Sequence, residues 1–323
     1  MNPKFKKTLF AIIPISLGIG LIWNFLSRLS PSDKTDIIAS LKLANYWWVL
    51  LSLFFGIFSH LSRAYRWQFL LEPLGYKPKF ANSTMTVLAS YLVNLVIPRA
   101  GDVVRGTSIS KYEKIPIEKA IGTIVAERVA DAIMLLSIIM LAFILQADLI
   151  KSYILKEGDS NKYTTILFLI LIGGLGLVAF RLLQKAKVGF LLKVKTFVNG
   201  LFEGAISIFK MKKKWAFIFH TIFIWVMYVL MFYAVTFALP ETTHLPFEAI
   251  IIGFVVGGLS MALTNGGLGT YPIAVASVLI LYNIDDNPAR AFGWLMWTAQ
   301  TLMVIVFGGL SFLFLPIYNR NKT

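Results

Sequence analysis

Apolar runs of about 18 residues or more with almost no charge recur along this chain, and each is long enough to cross bilayer hydrocarbon as a helix. The candidate full spans are 8–26, 46–70, 120–146, 164–183, 215–239 and 291–315. Inside a membrane there is no water for the backbone to bond, so such runs must satisfy their own N–H and C=O groups as helices. Residues are 57% hydrophobic and 15% charged, too little polar surface to wet the exterior of a soluble domain of this size. The longest polar stretch, 181–214, is short and interrupted by Phe190-Leu191-Leu192. The whole of 1–323 therefore reads as a single transmembrane domain. Lys4, Lys6 and Lys7 ahead of 8–26 share the layout of a signal peptide. That apolar run is too long for one and no small-x-small cleavage site follows, so an uncleaved first span is expected.

Two further apolar segments are interrupted. The segment 81–97 runs into Pro98-Arg99-Ala100-Gly101-Asp102. The segment 247–263 runs into Thr264-Asn265-Gly266-Gly267-Leu268-Gly269, and a short apolar limb, 271–284, follows. Helices broken by Pro or Gly at membrane depth survive where protein or a wet cavity surrounds the freed backbone. Both segments read as broken or re-entrant helical hairpins. The expected fold is thus an all-α polytopic membrane protein with about six full spans plus two broken or re-entrant helical segments.

The net charge of +15 would suggest nucleic acid in a soluble protein. Here the Lys and Arg sit in short loops beside apolar runs, which is an orientation signal and an attraction to anionic lipid. The loop 181–214 carries Arg181, Lys185, Lys187, Lys193, Lys195, Lys210, Lys212, Lys213 and Lys214, and should be cytoplasmic. The loop 240–246 has no Lys or Arg, and 147–163 offsets its lysines with Asp148, Glu157 and Asp159, so both should be external. The expected location is the cell (inner) membrane, multi-pass, with both termini cytoplasmic. This orientation makes 46–146 and 215–315 run in opposite senses. The spacing agrees, with 51 positions from Trp47 to Pro98 and 49 from Trp215 to Thr264. An inverted repeat with paired breaks is expected, an arrangement in which transporters place the substrate near the midplane.

Four constellations can carry chemistry. In Pro98-Arg99-Ala100-Gly101-Asp102-Val103-Val104-Arg105, proline stops one helix and glycine permits a tight turn. Asp102 and Arg105 share a face of the helix that restarts, and Arg99 with Arg105 could fork onto phosphate oxygens, or simply snorkel. Glu127, Arg128 and Asp131 lie within an apolar span, where each charge costs roughly 2.5–3.5 kcal/mol on the insertion scale. They must face protein or water. Their excess negative charge asks for an arginine from Arg63, Arg66, Arg99 or Arg105, whether the set is functional or a structural ion lock. Arg63 and Arg66 occupy one helical face, with Trp67 placed like an interfacial belt residue that anchors the span end. Asn265, Gly266, Gly267 and Gly269 precede a helix restart and form either an anion cradle or a structural break. His60 and His220 read as packed or interfacial.

Cysteine is absent, which removes disulfides, thiol catalysis and thiolate metal sites. There is no Gly-x-Ser-x-Gly or His-Glu-x-x-His, so no enzymatic activity, cofactor or metal is expected.

At these residues the chain resembles the lysylphosphatidylglycerol synthase transmembrane domain, or flippase-like, family. The resemblance covers most of the chain and rests on Arg66-Trp67, Pro98-x-x-Gly101-Asp102-x-x-Arg105, Glu127-Arg128-x-x-Asp131 and Gly266-Gly267-x-Gly269. Members usually have Glu where Asp102 stands, and often continue with Arg-Glu where this chain has Tyr271-Pro272. In the synthases this domain moves aminoacylated phospholipid between leaflets and a separate soluble domain makes it. The resemblance implies a stand-alone member without synthase activity, binding or translocating an anionic phospholipid or lipid-linked substrate. Arg63, Arg66, Arg99 and Arg105 would contact phosphate. Glu127, Arg128 and Asp131 would hold the arginines or exchange partners, Asp102 would belong to the same substrate site, and Asn265, Gly266, Gly267 and Gly269 would form the facing break. Two other readings stay open. One is an accessory protein docking a separate lipid-modifying enzyme through 181–214. The other is an intramembrane enzyme acting on lipid-linked sugars. The partners expected are membrane lipids with anionic headgroups, and not nucleic acid.

Overall fold

A computed structural model describes residues 30–97, 100–146, 208–264 and 266–320, with isolated positions elsewhere. The expected spans 8–26 and 164–183 lie outside the described residues, as do Pro98, Arg99 and Asn265. The described residues are helical, and four helices are long and apolar enough to cross a membrane. The chain divides into two units: 1–127 with 215–323, and 128–214.

In chain order the described helices are α1 (Pro31–Leu43), α2 (Tyr46–Leu71), α3 (Phe80–Val96), α4 (Ala100–Glu113) and α5 (Ile117–Leu145). After the basic loop come α6 (Lys214–Thr236), α7 (Phe247–Leu263), α8 (Thr270–Leu281) and α9 (Asp286–Tyr318). The expected spans 46–70, 120–146, 215–239 and 291–315 correspond to α2, α5, α6 and α9, within a few residues at each end. The two interrupted segments are helix pairs: α3 packs on α4, and α7 packs on α8. Helix α1 was not anticipated. Its residues mix charge with short apolar pairs, and the Ser30-Pro31 start is the signal that marks it.

Helix α9 organises the first unit, packing on α8, α3, α2 and α1. Its contacts depend on glycine. An added Cβ at Gly308 would lie 2.7 Å from Leu92 Cβ and 2.9 Å from the Leu88 carbonyl oxygen of α3. Small residues that let helix backbones approach are the usual basis of association in lipid, where apolar burial gives no net drive. The ends are tied by polar groups. Asn82 Nδ2 of α3 donates to Asn319 Oδ1 just beyond α9 at 3.0 Å, and Asn319 Nδ2 donates back at 2.7 Å. Asn82 also donates to the Glu113 carboxylate, which caps the base of the α3–α4 pair.

Burial in α2 is inverted relative to a soluble helix. Its buried face carries Ser52, Ser59, His60, Ser62, Arg63 and Arg66, while Trp47, Leu50, Phe54 and Phe58 are exposed. Exposed aromatics over a polar interior are unfavourable in water and are what hydrocarbon selects. This is a polytopic helical membrane protein.

Candidate functional site

The buried stripe of α2 leads to a network built from four helices. Arg66 and Arg105 are 0% and 2% exposed, and Glu127 is 1% exposed. Arg105 Nη1 of α4 is 2.6 Å from Glu127 Oε2 of α5, and Arg66 Nε of α2 is 3.5 Å from Glu127 Oε1. Glu127 thus stands against both arginines. Arg66 Nη1 also donates to Thr221 Oγ1 of α6 at 3.0 Å, and the Thr221 hydroxyl donates to the Phe217 carbonyl.

Aromatic rings finish the enclosure. The Arg105 guanidinium carbon lies 3.8 Å from the Trp67 ring centroid, and that of Arg66 lies 5.2 Å from Phe217. A planar guanidinium can stack on a ring face while its edge N–H groups stay aimed at a carboxylate. Trp67 Nε1 in turn donates to Thr123 Oγ1 at 2.9 Å, which fixes the ring beneath Arg105. Trp67 is therefore not an interfacial belt residue, as its position in the sequence suggested. It is 0% exposed and sits in a small core with Leu71, Ile109, Ile115, Ala120 and Ile124. Trp67→Phe removes the N–H and one ring of the indole at a fully buried position. A loss of more than about 1 kcal/mol is expected in denaturant unfolding of the detergent-solubilised protein, since a cavity term adds to the net value of one buried hydrogen bond.

Among the described residues of the first unit, the buried ionisable side chains include three arginines, Arg63, Arg66 and Arg105, and one carboxylate, Glu127. The acidic excess of Glu127, Arg128 and Asp131 asked for an arginine from Arg63, Arg66, Arg99 or Arg105. Folding brings two of them, Arg66 and Arg105, to Glu127, so this buried set is positive. Arg63 is 4% exposed, so neither Arg63 nor Arg66 snorkels to an interface. Asp102 sits half-buried in the first turn of α4, where a carboxylate favours the helix dipole. In the second unit, Arg128 Nη1 is 3.7 Å from Asp131 Oδ2, an i,i+3 pair on α5.

The first break is shaped by close packing of its two arms. Gly101 N donates to Asn94 Oδ1 at 2.8 Å, and a Cβ there would strike the Ser90 carbonyl oxygen of α3. The second break is a glycine turn. Gly266, Gly267 and Gly269 have φ of 64°, 73° and 73°, in the left-handed region that glycine enters at no steric cost. Trp297 Nε1 of α9 donates to the Gly266 carbonyl at 2.7 Å, and Ser260, Thr264 and Thr270 form a hydroxyl chain across the turn. Tyr271 and Pro272 are buried.

The two breaks touch: a Cβ at Gly266 would lie 3.0 Å from Leu95 Cδ2 at the end of α3. The ion network and the glycine turn nevertheless stand on different helices. Arg66, Arg105 and Glu127 join α2, α4 and α5, whereas α7, α8 and α9 hold the turn. Arg66, Arg105 and Glu127, with the guanidinium groups stacked on Phe217 and Trp67, form a buried, closed ion network.

Comparison with known proteins agrees with this architecture. Residues 11–309 match the family described as lysylphosphatidylglycerol synthase TM region. The chain belongs to that family. It is also 25% identical to a UPF0104 membrane protein of Methanocaldococcus jannaschii over 347 aligned positions, covering 97% of this chain and 96% of the relative. No solved structure matches.

Proposed function

We propose that this protein binds an anionic phospholipid or lipid-linked substrate and carries its headgroup between leaflets, without changing it covalently. The observation that carries the reading is the buried positive excess of Arg63, Arg66 and Arg105 over Glu127 among the described residues of α2, α4 and α5. Charge buried among membrane helices is costly and marks a functional site by default. An oxyanion headgroup is the natural counter-ion, since guanidinium groups match phosphate geometry. Glu127 would hold the arginines closed and exchange with phosphate when the network opens.

An inverted repeat, which the order and lengths of the helices support, would give a two-sided route. The run α2, α3, α4, α5 has lengths of 26, 17, 14 and 29 residues, and the run α6, α7, α8, α9 has 23, 17, 12 and 33. Each half is then a span, a re-entrant pair and a span, with the pairs entering from opposite sides and meeting at Leu95 and Gly266. The basic loop 181–214 supports cytoplasmic termini in an inner membrane. A second reading, a non-catalytic accessory protein that docks a lipid-modifying enzyme, is favoured by one observation: the network is closed.

Proteoliposomes distinguish the two. Purified protein should move a fluorescent phosphatidylglycerol between leaflets faster than empty vesicles do. Arg105→Lys keeps the charge but loses the fork and the stack on Trp67. It should slow transport roughly tenfold to a hundredfold, the value of one charge-assisted hydrogen bond of about 1.5–3 kcal/mol. A wild-type rate equal to that of empty vesicles would overturn the translocation reading and leave the docking one.

A further inference from the structure

A groove of about 250 Å³ lies between the outward sides of α2 and α6, with Phe80 at the start of α3 also lining it. Its walls are Phe58, Leu61 and Tyr65 of α2, Phe80 of α3, and Phe219 and Phe223 of α6. Phe58 and Phe219 are 40% and 61% exposed, so it opens away from the interior of the unit. At membrane depth, what lies outside these helices is hydrocarbon. The volume takes about eight methylene-sized groups at ~30 Å³ each, a slot for one chain rather than for a protein helix.

The groove also borders the arginine network. Ser62 and His220 line it and are hydrogen-bonded, with Oγ and Nδ1 2.8 Å apart. One turn further along α2 from Ser62 is Arg66, and next to His220 on α6 is Thr221, and these two are bonded at 3.0 Å. Apolar slot and buried cation therefore share one wall, made by the same pair of helices. A lipid presents this combination: a chain that prefers the slot, joined to a headgroup that prefers the guanidinium groups.

We infer that the groove between α2 and α6 holds one hydrocarbon chain of the substrate lipid while its headgroup is handled at Arg63 and Arg66. This rests on the lipid reading above. The Ser62–His220 pair would then mark the boundary between chain and headgroup, a polar contact where glycerol or a linking phosphate meets the protein.

The test uses the full chain in phosphatidylcholine nanodiscs doped with a phosphatidylglycerol that carries a photoactivatable diazirine in one chain. After illumination, adducts mapped by mass spectrometry should concentrate at Phe58, Leu61, Phe80 and Phe219. Leu61→Trp, which fills the slot, should lower this labelling several-fold. Phe219→Ala, which removes a largely exposed wall, should lower it too without disturbing the core, and melting curves will confirm that both variants fold. Adducts spread evenly over other outward residues such as Phe54 and Phe314, or normal labelling of folded Leu61→Trp, would overturn the chain site. A phosphatidylcholine probe run in parallel separates the two readings. Equal groove labelling by both probes keeps the chain site and counts against an anionic headgroup at the arginines. Intact lipid transport without groove labelling removes the chain site alone.

Discussion

Glu127→Gln is expected to lower the stability of the folded protein by about 3–5 kcal/mol, the range for removing one partner of a buried ion pair. The carboxylate lies 2.6 Å from Arg105 and 3.5 Å from Arg66, and all three side chains are at most 2% exposed. Glutamine keeps the shape and loses the charge, so the cost isolates electrostatics. Two guanidinium groups would be left in a low-dielectric interior with their shared counter-charge gone, and they repel each other. Against a typical folding free energy of about 5–15 kcal/mol, that is a large fraction. Thermal unfolding in detergent should show a clear drop in Tm, with Glu127→Asp falling between wild type and Gln because the shorter side chain reaches less well. Wild-type melting of Glu127→Gln would mean that the carboxylate does not hold the arginines. The same variant bears on transport. If Glu127 is the group that phosphate displaces, protein that survives purification should bind anionic lipid without the competition the carboxylate supplies.

Gly293→Ala should be the second severe change, for a steric reason. Gly293 lies buried in α9, where a Cβ would stand 2.5 Å from the Pro272 carbonyl oxygen and 2.8 Å from Pro272 Cα. Both are backbone atoms of the first turn of α8, so nothing can swing aside and the two helices must separate. Overpacking of this kind costs about 1–3 kcal/mol. The displacement would also strain the turn between α7 and α8, since Trp297 of α9 holds the Gly266 carbonyl at 2.7 Å. Gly309→Ala is the control, because a Cβ there meets nothing within 4 Å. It should be neutral or stabilising by up to about 1 kcal/mol, since alanine is the better helix former. Equal unfolding midpoints for the two variants would show that α8 and α9 do not approach as closely as the structure has them.

Four of the expected spans, those over α2, α5, α6 and α9, were legible in the sequence because the signal is additive: each apolar residue in a run contributes to insertion wherever its neighbours point. The ends of α2, α5, α6 and α9 fell within a few residues of expectation for that reason. The breaks were legible as well, since proline and glycine act on the backbone locally, and φ values of 64° and 73° at Gly266 and Gly267 need no distant partner to explain them. Helix α1 was missed because its Ser-Pro start is a weak signal without an apolar run behind it.

Partnership was legible only in part. The excess negative charge of Glu127, Arg128 and Asp131 asked for an arginine from Arg63, Arg66, Arg99 or Arg105, and local spacing paired Arg128 with Asp131. Folding sends Arg105 and Arg66 to Glu127 and keeps Arg128 with Asp131, and which of the four arginines arrive was decided by packing alone. Trp67 illustrates the same limit. A tryptophan near the end of a span reads as an interface anchor, and only the approach of α4 puts Arg105 on its face. Thr123, Thr221 and Phe217 carried no signal at all, because an isolated hydroxyl or ring in an apolar run acquires meaning from what packs beside it.

Sequence alone therefore determined that this chain lives in a bilayer, where its helices run and where two of them break, since those properties depend on local composition and backbone freedom. Tertiary structure decided the sign of the buried charge, the sealing of the arginines and the groove beside them. Those depend on which faces of α2, α4, α5 and α6 meet, and contact between helices distant along the chain is not written in any one of them.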